Sequence, residues 1–391
     1  MIKAASLHTF EIDDPAGALE EIQNQLREKL VLLKNTAGIL QCGFDFIESG
    51  VVSHICENLP FPIVGATTIS QAVNGAAGEL MLTLLVLTSD DAEFAPAHTE
   101  GHLDDFFGSI ERSFRPAYEA CRLPLKLILT FPPIIEKYSG DEYINAFEKL
   151  CGNVPLFGSL AVEDDLMAYT RNATFCGGGH FANEMSYLMI FGNVSPRFFV
   201  ATVPEKSKML EAGVITKAEK NVMHEVNGES TMACFERIGL AHGGVLRDGI
   251  ESLPLMLSRR GADGRLSPPF ARGVISATED GSVICRGTIY PGSSLAVCSN
   301  SVRDIVEASE ETVRCLNSEP NVQAALMYSC TVRRTILGGK PLLELERVRD
   351  AMRPDIPFMM AYSGGEFCPA FMSDEMLENR FHNFSFIACV F

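Results

Sequence analysis

PFMMAYSGGE, residues 357–366, has two ungapped counterparts in the same chain, PIVGATTISQ at 62–71 and PLFGSLAVED at 155–164. Each copy reads proline, two apolar residues, a fourth residue and then a small one, and ends on Glu366, Gln71 or Asp164. A proline that opens a short apolar run suits the first position of a strand, where its missing N–H costs least. Upstream of each copy lies another apolar run of strand length: AGILQCGFDFI from 37, LPLKLILTFPP from 123 and VQAALMYSCTV from 322. Between run and frame the pattern turns helical; in SGDEYINAFEKLCG, 139–152, Tyr143, Phe147 and Leu150 fall at helical spacing. Downstream come ELMLTLLVL from 79, SYLMIFGNV from 186 and FSFIACVF from 384, each a further strand. A strand-helix-strand unit is thus written three times, which predicts an α/β fold of repeated units forming mixed sheets.

The second copy is followed by MAYTRNATF and the turn CGGGH, which read as a hairpin because consecutive glycines accept positive φ between strands. Gly177, Gly178 and Gly179 lack the strand-then-helix setting that a phosphate loop needs, so a nucleotide site is not expected there. PEKSKMLEAG, 204–213, interrupts the apolar pattern and reads as a linker, dividing the chain into domains at 1–203 and 213–391. Beyond it, the turn at Asn227-Gly228 precedes an amphipathic helix, and EDGSVICRGTIYPGSSLAVCS, 279–299, reads as a β-meander with turns at Asp280-Gly281 and Pro291-Gly292. VRDIVEASEETVRCL, 302–316, is a helix with Ile305, Val306 and Val313 inward. The C-terminal half therefore carries an α+β portion beside its own copy of the unit.

Composition narrows the function. A net charge of −18 opposes nucleic acid and anionic membrane surfaces, where affinity comes from Lys and Arg displacing counterions. The longest apolar run, LMLTLLVL at 80–87, is far short of the ~20 residues of a membrane helix. No CxxC pair occurs among twelve cysteines, and most of them sit in apolar runs as Cys298 and Cys389 do, which is the pattern of reduced core thiols. The N-terminal MIKAASLHTFEIDD has no basic segment leading into an apolar one, so the expected compartment is the cytoplasm.

Taken together, several features resemble the FIST family: the turn Gly65-Ala66-Thr67-Thr68, PLFGSLAVEDD, the EVNG turn before a helix, and DGSVICRGTIYPGSSLAV. So do Ser329-Cys330-Thr331-Val332-Arg333, the pair Gly365-Glu366 and His382-Asn383 before the last strand. The N-terminal FIST module would cover about 30–203 and the C-terminal one about 213–391. The resemblance implies a sensory role in signal transduction with an amino-acid-like small molecule as ligand. This stretch of chain is expected to carry no kinase, chemoreceptor or cyclic-dinucleotide output segment, and the signal is expected to pass to a separate partner protein. Where the family's first turn carries Cys, Gly and Glu, this chain has Ala66, Ser70 and Gln71, which puts a charged role for that turn in doubt.

An amino-acid ligand needs a cation for its carboxylate and an anion for its ammonium in a partly dry pocket. Arg333 or Arg334, just past a strand end, would supply the first and Glu366 the second, with Thr67, Thr68, Ser159, Ser363, Gly365 and Asn383 lining the same cleft. Against this stand a plain turn at Gly365-Glu366, an ordinary ion pair at Arg333 and a turn-stabilising side chain at Asn383. No cofactor is expected. His98 and His102, with Glu100, Asp104 and Asp105 nearby, have the i, i+4 spacing of metal ligands, yet Gly101 and the preceding Ala95-Pro96-Ala97 read as a loop entering a helix. Two other function classes remain open: a cysteine-dependent enzyme using Cys330 with His382 as base, and a protein-interaction scaffold with no ligand.

Overall fold

The strand-helix-strand units form as their patterns predict. The computed structural model describes residues 2–135, 137–163, 171–259, 267–372 and 377–391; Asp164, the end of the middle frame, lies outside them. The first unit comprises β1 (Lys3–Thr9), α1 (Pro15–Lys29), β2 (Asn35–Cys42), α2 (Val51–Asn58), β3 (Ile63–Thr67), a hairpin of β4 (Gln71–Val73) and β5 (Ala76–Gly78), and β6 (Leu82–Ser89). The second repeats this as β7 (Ala92–His98), α3 (Phe106–Glu119), β8 (Leu125–Phe131), α4 (Gly140–Cys151), β9 (Leu156–Ser159), the hairpin β10 (Thr174–Cys176) and β11 (Gly179–Phe181), and β12 (Ser186–Gly192). The third begins with β13 (Arg197–Ala201) and, about a hundred residues later, resumes with α5 (Val302–Ser318) and β14 (Ala325–Cys330). It continues through α6 (Thr331–Leu337), α7 (Leu343–Ala351) and β15 (Phe358–Ser363), then the hairpin β16 (Glu366–Met372) and β17 (Leu377–His382), and ends with β18 (Phe386–Val390).

Helix starts carry their own signals. Asp14 accepts from the Ala16 N–H ahead of Pro15, and capping boxes join Ser139 to Glu142 and Ser301 to Asp304.

Each unit builds a six-stranded mixed sheet, and each sheet is completed by a hairpin from another unit. The strand orders are β1-β6-β2-β3-β10-β11, β7-β12-β8-β9-β16-β17 and β13-β18-β14-β15-β4-β5. In each sheet the first frame-bearing pair is parallel, β2 with β3, β8 with β9 and β14 with β15, and the rest is antiparallel. The second unit lends its hairpin to the first, the third to the second and the first to the third, so the exchange closes a ring with threefold pseudosymmetry. The inner faces of all three sheets meet in one core that includes Ile39, Val64, Leu129, Phe157, Leu326 and Met359. Three outer cores lie under the helices: α1 and α2 over Ile22, Ile55 and Leu84; α3 and α4 over Phe114, Phe147 and Tyr187; α5 and α7 over Val313, Leu345 and Met360. Strands covered on both faces account for the near-continuous apolar runs.

The interval between β13 and α5 forms a separate eight-stranded sheet with its own core around Ile215, Phe235, Leu257 and Leu295. The stretch read as a linker is not one: Glu205–Ser207 is a single 3-10 turn, and Lys208–Glu219 is a twelve-residue strand. Its polar look comes from residues 208–211 being exposed at the sheet surface. The strands expected from 279–299 form at Val283–Cys285 and Ser294–Cys298, but they do not pair with each other; both pair with the 208–226 hairpin, on opposite sides.

A buried ion pair seats this sheet on the ring. The Arg272 guanidinium donates to Asp141 Oδ1 at 3.4 Å, to the Phe381 carbonyl at 3.0 Å and to the Thr288 carbonyl at 3.1 Å, and Asp141 Oδ2 accepts from the Thr288 N–H at 2.7 Å. Arg272→Met is expected to weaken the fold by about 2 kcal/mol, since Asp141 keeps its Thr288 bond but loses its cation. In hydrogen exchange, residues 270–290 should lose protection before β14; equal loss in both regions would show that the pair does not govern this contact.

Candidate functional site

The frames end where the three units touch. Gly65 and Gly158 sit where β3 and β9 run against β2 and β8; a Cβ there would lie 1.8 Å from the Leu40 carbonyl and 1.9 Å from that of Thr130. Beyond them the three turns bond to one another. The Val162 N–H donates to the Thr67 carbonyl at 3.0 Å, the Leu160 N–H to the Gly365 carbonyl at 2.9 Å, and the Thr68 hydroxyl to the Tyr362 carbonyl at 2.5 Å. First to second, second to third and third to first, these bonds close a ring of loops at the carboxyl ends of the parallel strands.

Just inside that ring the sheets present matched positions. Register places Gln41, Ala66 and Thr174 side by side in the first sheet, Ser159 and Glu366 in the second, and Tyr328, Ala361 and Gln71 in the third. Residues in register share a face, so the small residue at the fifth frame position is flanked by a larger one reaching the axis. Side chains from different sheets meet there: Gln41 Nε2 donates to the Tyr328 hydroxyl at 3.2 Å, the Ser159 side chain lies close enough to that hydroxyl to influence its ionisation, and the Tyr328 ring lies 6.5 Å from that of Phe131.

Thr67, Thr68, Ser159, Ser363, Gly365 and Glu366 therefore do converge, but in the interior: none of the five with side chains is more than 2% exposed. Glu366 accepts from Ser385 at 2.6 Å and from Ser363 at 3.0 Å. Ser363 also holds the turn: its oxygen accepts from the Gly365 N–H, and its single proton is shared between Glu366 and the Gly365 carbonyl. Burial pushes the Glu366 carboxyl up to about 8 against the downward pull of the two hydroxyls and the more distant Arg333 charge. No cation bonds it among the described residues, whereas the buried carboxylates Glu344 and Asp141 each hold an arginine.

Arg333, expected to offer its fork to a ligand, has that fork filled. Its guanidinium bonds Glu344 at 2.6 and 3.2 Å, Ser309 at 2.8 Å and the Ile305 carbonyl at 3.0 Å, with 1% of the side chain exposed. Arg334 points the other way and pairs with Glu79 of the first unit. Asn383 accepts from the Gly273 N–H at 3.4 Å and donates to the His382 carbonyl, which places it between the fourth sheet and the ring.

The cysteine chemistry meets the wrong environment. Burial, and next the Glu366 charge, push the Cys330 thiol up to about 12, away from the thiolate that a nucleophile requires. His382 bonds the Cys368 carbonyl at 3.0 Å, and burial takes it down to about 3. The two histidines of HTEGH also part: His98 stacks on Phe181, while His102 is buried between Ser109 and Tyr143 and lowered to about 4 by that burial. Two surface depressions, of about 380 Å³ beside Lys206 and Asp304 and about 310 Å³ between Leu32 and Phe94, lie away from the axis.

Gln41, Tyr328, Thr174 and Ser385 did not stand out as site residues in the sequence. For the first two the sequence offered only that each is polar within an apolar run; strand register, which sets each opposite the fifth residue of a frame (Gln41 opposite Ala66, Tyr328 opposite Ala361), is what makes them equivalent.

The FIST N domain family model matches residues 36–229 and the FIST C domain model residues 236–369, together most of the chain. The chain belongs to the FIST family. FIST domains are small-ligand-binding sensory modules. No curated protein sequence matches this FIST chain. Among solved structures, one titled as a cyanuric acid hydrolase arising by structural concatenation is similar at 10% identity over 68% of this chain and 82% of its own, with a TM-score of 0.26. No helix among the described residues is long and apolar enough to cross a membrane.

Proposed function

We propose that this FIST protein senses an amino-acid-like metabolite held at the pseudosymmetry axis and passes its state to a separate cytoplasmic partner. The observation that carries the reading is Glu366, a fully buried carboxyl with two hydroxyl donors and no bonded cation among the described residues. An uncompensated charge in such a place is expensive, so the group either keeps its proton or receives a cationic guest. A ligand ammonium is such a guest, and the charge-assisted bond it makes is strong because the surroundings are dry. Ser363 bonds it and Ser159 is its register neighbour, Thr67 and Thr68 hold the loop ring through the Ala173 and Tyr362 carbonyls, and Gly365 brings backbone close without a side chain. The loop ring links all three units, so a guest that alters it alters how the units meet, which is what a sensor must report.

Thermal unfolding in the presence of each of the twenty amino acids tests this. A ligand at about 100 times its Kd adds about 2.7 kcal/mol of stability. The expected result is an upward shift with one class of amine-bearing compound, absent with its N-acetyl derivative and absent in Glu366→Gln. No shift with any compound, from protein that mass spectrometry shows free of carried-over small molecules, would overturn the proposal.

A further inference from the structure

Of the three register-matched hairpin positions at the axis, two are satisfied and one is not. Thr174 donates to the Glu184 carbonyl at 2.7 Å, and Glu366 has its two serines. Gln71 is fully buried, yet both its amide nitrogen and its amide oxygen lack a partner among the described residues. From the first sheet, Gln41 spends its nitrogen on Tyr328 and leaves its buried oxygen unpartnered as well. Tyr328 is the register neighbour of Ala361, and Ala361 of Gln71, so Gln71 stands on the same face of the third sheet as Tyr328, one strand beyond Ala361, while Gln41 reaches that tyrosine from the first sheet. An orphaned amide group in a protein interior is costly, about 1–3 kcal/mol for each unmade bond, and native interiors rarely keep one.

The unused atoms amount to two acceptors, Gln41 Oε1 and Gln71 Oε1, and one donor group, Gln71 Nε2. A primary carboxamide is their complement, with two N–H donors and one carbonyl acceptor. We infer that the axial site selects a small molecule bearing a primary carboxamide, such as glutamine or asparagine, whose amide is read by Gln41 and Gln71. This rests on the axis being the ligand site, and it adds which ligand class that site takes. Selection of this kind is sharp, because a ligand of the same shape without the amide leaves the two glutamines unpartnered. Entry requires the loop ring to part, and each turn-to-turn contact in it is made by one or two hydrogen bonds.

The test uses the full chain with L-glutamine, L-asparagine and L-methionine, the last matching glutamine in length without its amide. Glutamine or asparagine is expected to raise the unfolding temperature and methionine to leave it unchanged. Gln71→Met and Gln41→Met are each expected to weaken the amide ligand at least about tenfold, the size of one good hydrogen bond. Circular dichroism and the unliganded unfolding temperature establish that each variant folds; Gln71→Met, which deletes an unpaired polar group, should be no less stable than the wild type. Acid release and mass spectrometry of freshly purified protein should find the same amide-bearing compound in the wild type and not in Gln71→Met. An unchanged response in both variants, or equal shifts with methionine and glutamine, overturns the amide assignment. If some other amino acid shifts the wild type through Glu366 but not through Gln71, the sensor reading stands and this inference falls. If nothing shifts or co-purifies, both fall.

Discussion

Glu366→Gln is expected to flatten the alkaline side of the stability profile. In the wild type, the unfolded carboxyl ionises as pH rises through its ordinary value of 4.5, while the folded one keeps its proton to about 8. Between those values the unfolded state binds fewer protons, so stability falls as pH rises, by roughly 1.36 kcal/mol for each pH unit and on the order of 4–5 kcal/mol in all. Glutamine copies the shape of the protonated acid and does not titrate, and the Ser363 and Ser385 oxygens can accept from its amide as well as donate to it. The variant should therefore match the wild type near about pH 5 and exceed it by several kcal/mol near about pH 8. The acid limb has another origin and should survive. His102 and His382 are held neutral well below their ordinary value, so the unfolded state binds more protons below about pH 6.5, and stability there rises with pH. Urea titrations at a series of pH values give both limbs. Parallel profiles for variant and wild type up to about pH 8 would mean that Glu366 does not hold its proton in the folded state.

The same residue shows how far a sequence carries a site. The frame PFMMAYSGGE gave the turn, its glycine and its carboxylate, because a strand start, a buried strand and a tight turn each leave a local mark. The threefold repeat likewise gave the three parallel pairs. What left no mark is pairing between units. Hairpin exchange joins β4 to β15 and β16 to β9, contacts between residues some two to three hundred apart, and nothing in β4 distinguishes its own sheet from another. The frame's last position shows the same limit. In the middle unit the interval between β9 and β10 brings Thr174 into register beside Ala66, whereas Gln71 and Glu366 take the matching places in the other two sheets, so ungapped alignment points to Asp164 instead. Arg333 was visible as a cation past a strand end. Its partner Glu344 lies on another helix, and only packing of α5, α6 and α7 could show that the two are bonded.

That bond sets the second large effect. Arg333→Met leaves Glu344 at 0% exposure with hydroxyls from Ser309 and Ser329 and no cation, and breaking a buried pair from one side typically costs about 3–5 kcal/mol. Glu344→Leu strands the guanidinium instead and should cost a similar amount. The double variant Arg333→Met/Glu344→Leu removes both charges and fills the space with apolar atoms, so it should recover at least half of either loss, a coupling of about 2 kcal/mol or more. Additive losses would mean that the two side chains stabilise the helices separately, through Ile305 and Ser329, and not through each other. The double variant also separates structure from recognition. With its fork closed on Glu344, Arg333 has no free donor pair to present to a ligand carboxylate, so any amino acid that stabilises the wild type should stabilise the double variant by the same amount. A folded double variant that no longer responds, while Arg334→Ala still does, would show that the guanidinium leaves Glu344 when the ligand binds. The Glu344 carboxylate would then stand in for the ligand's own in the empty protein.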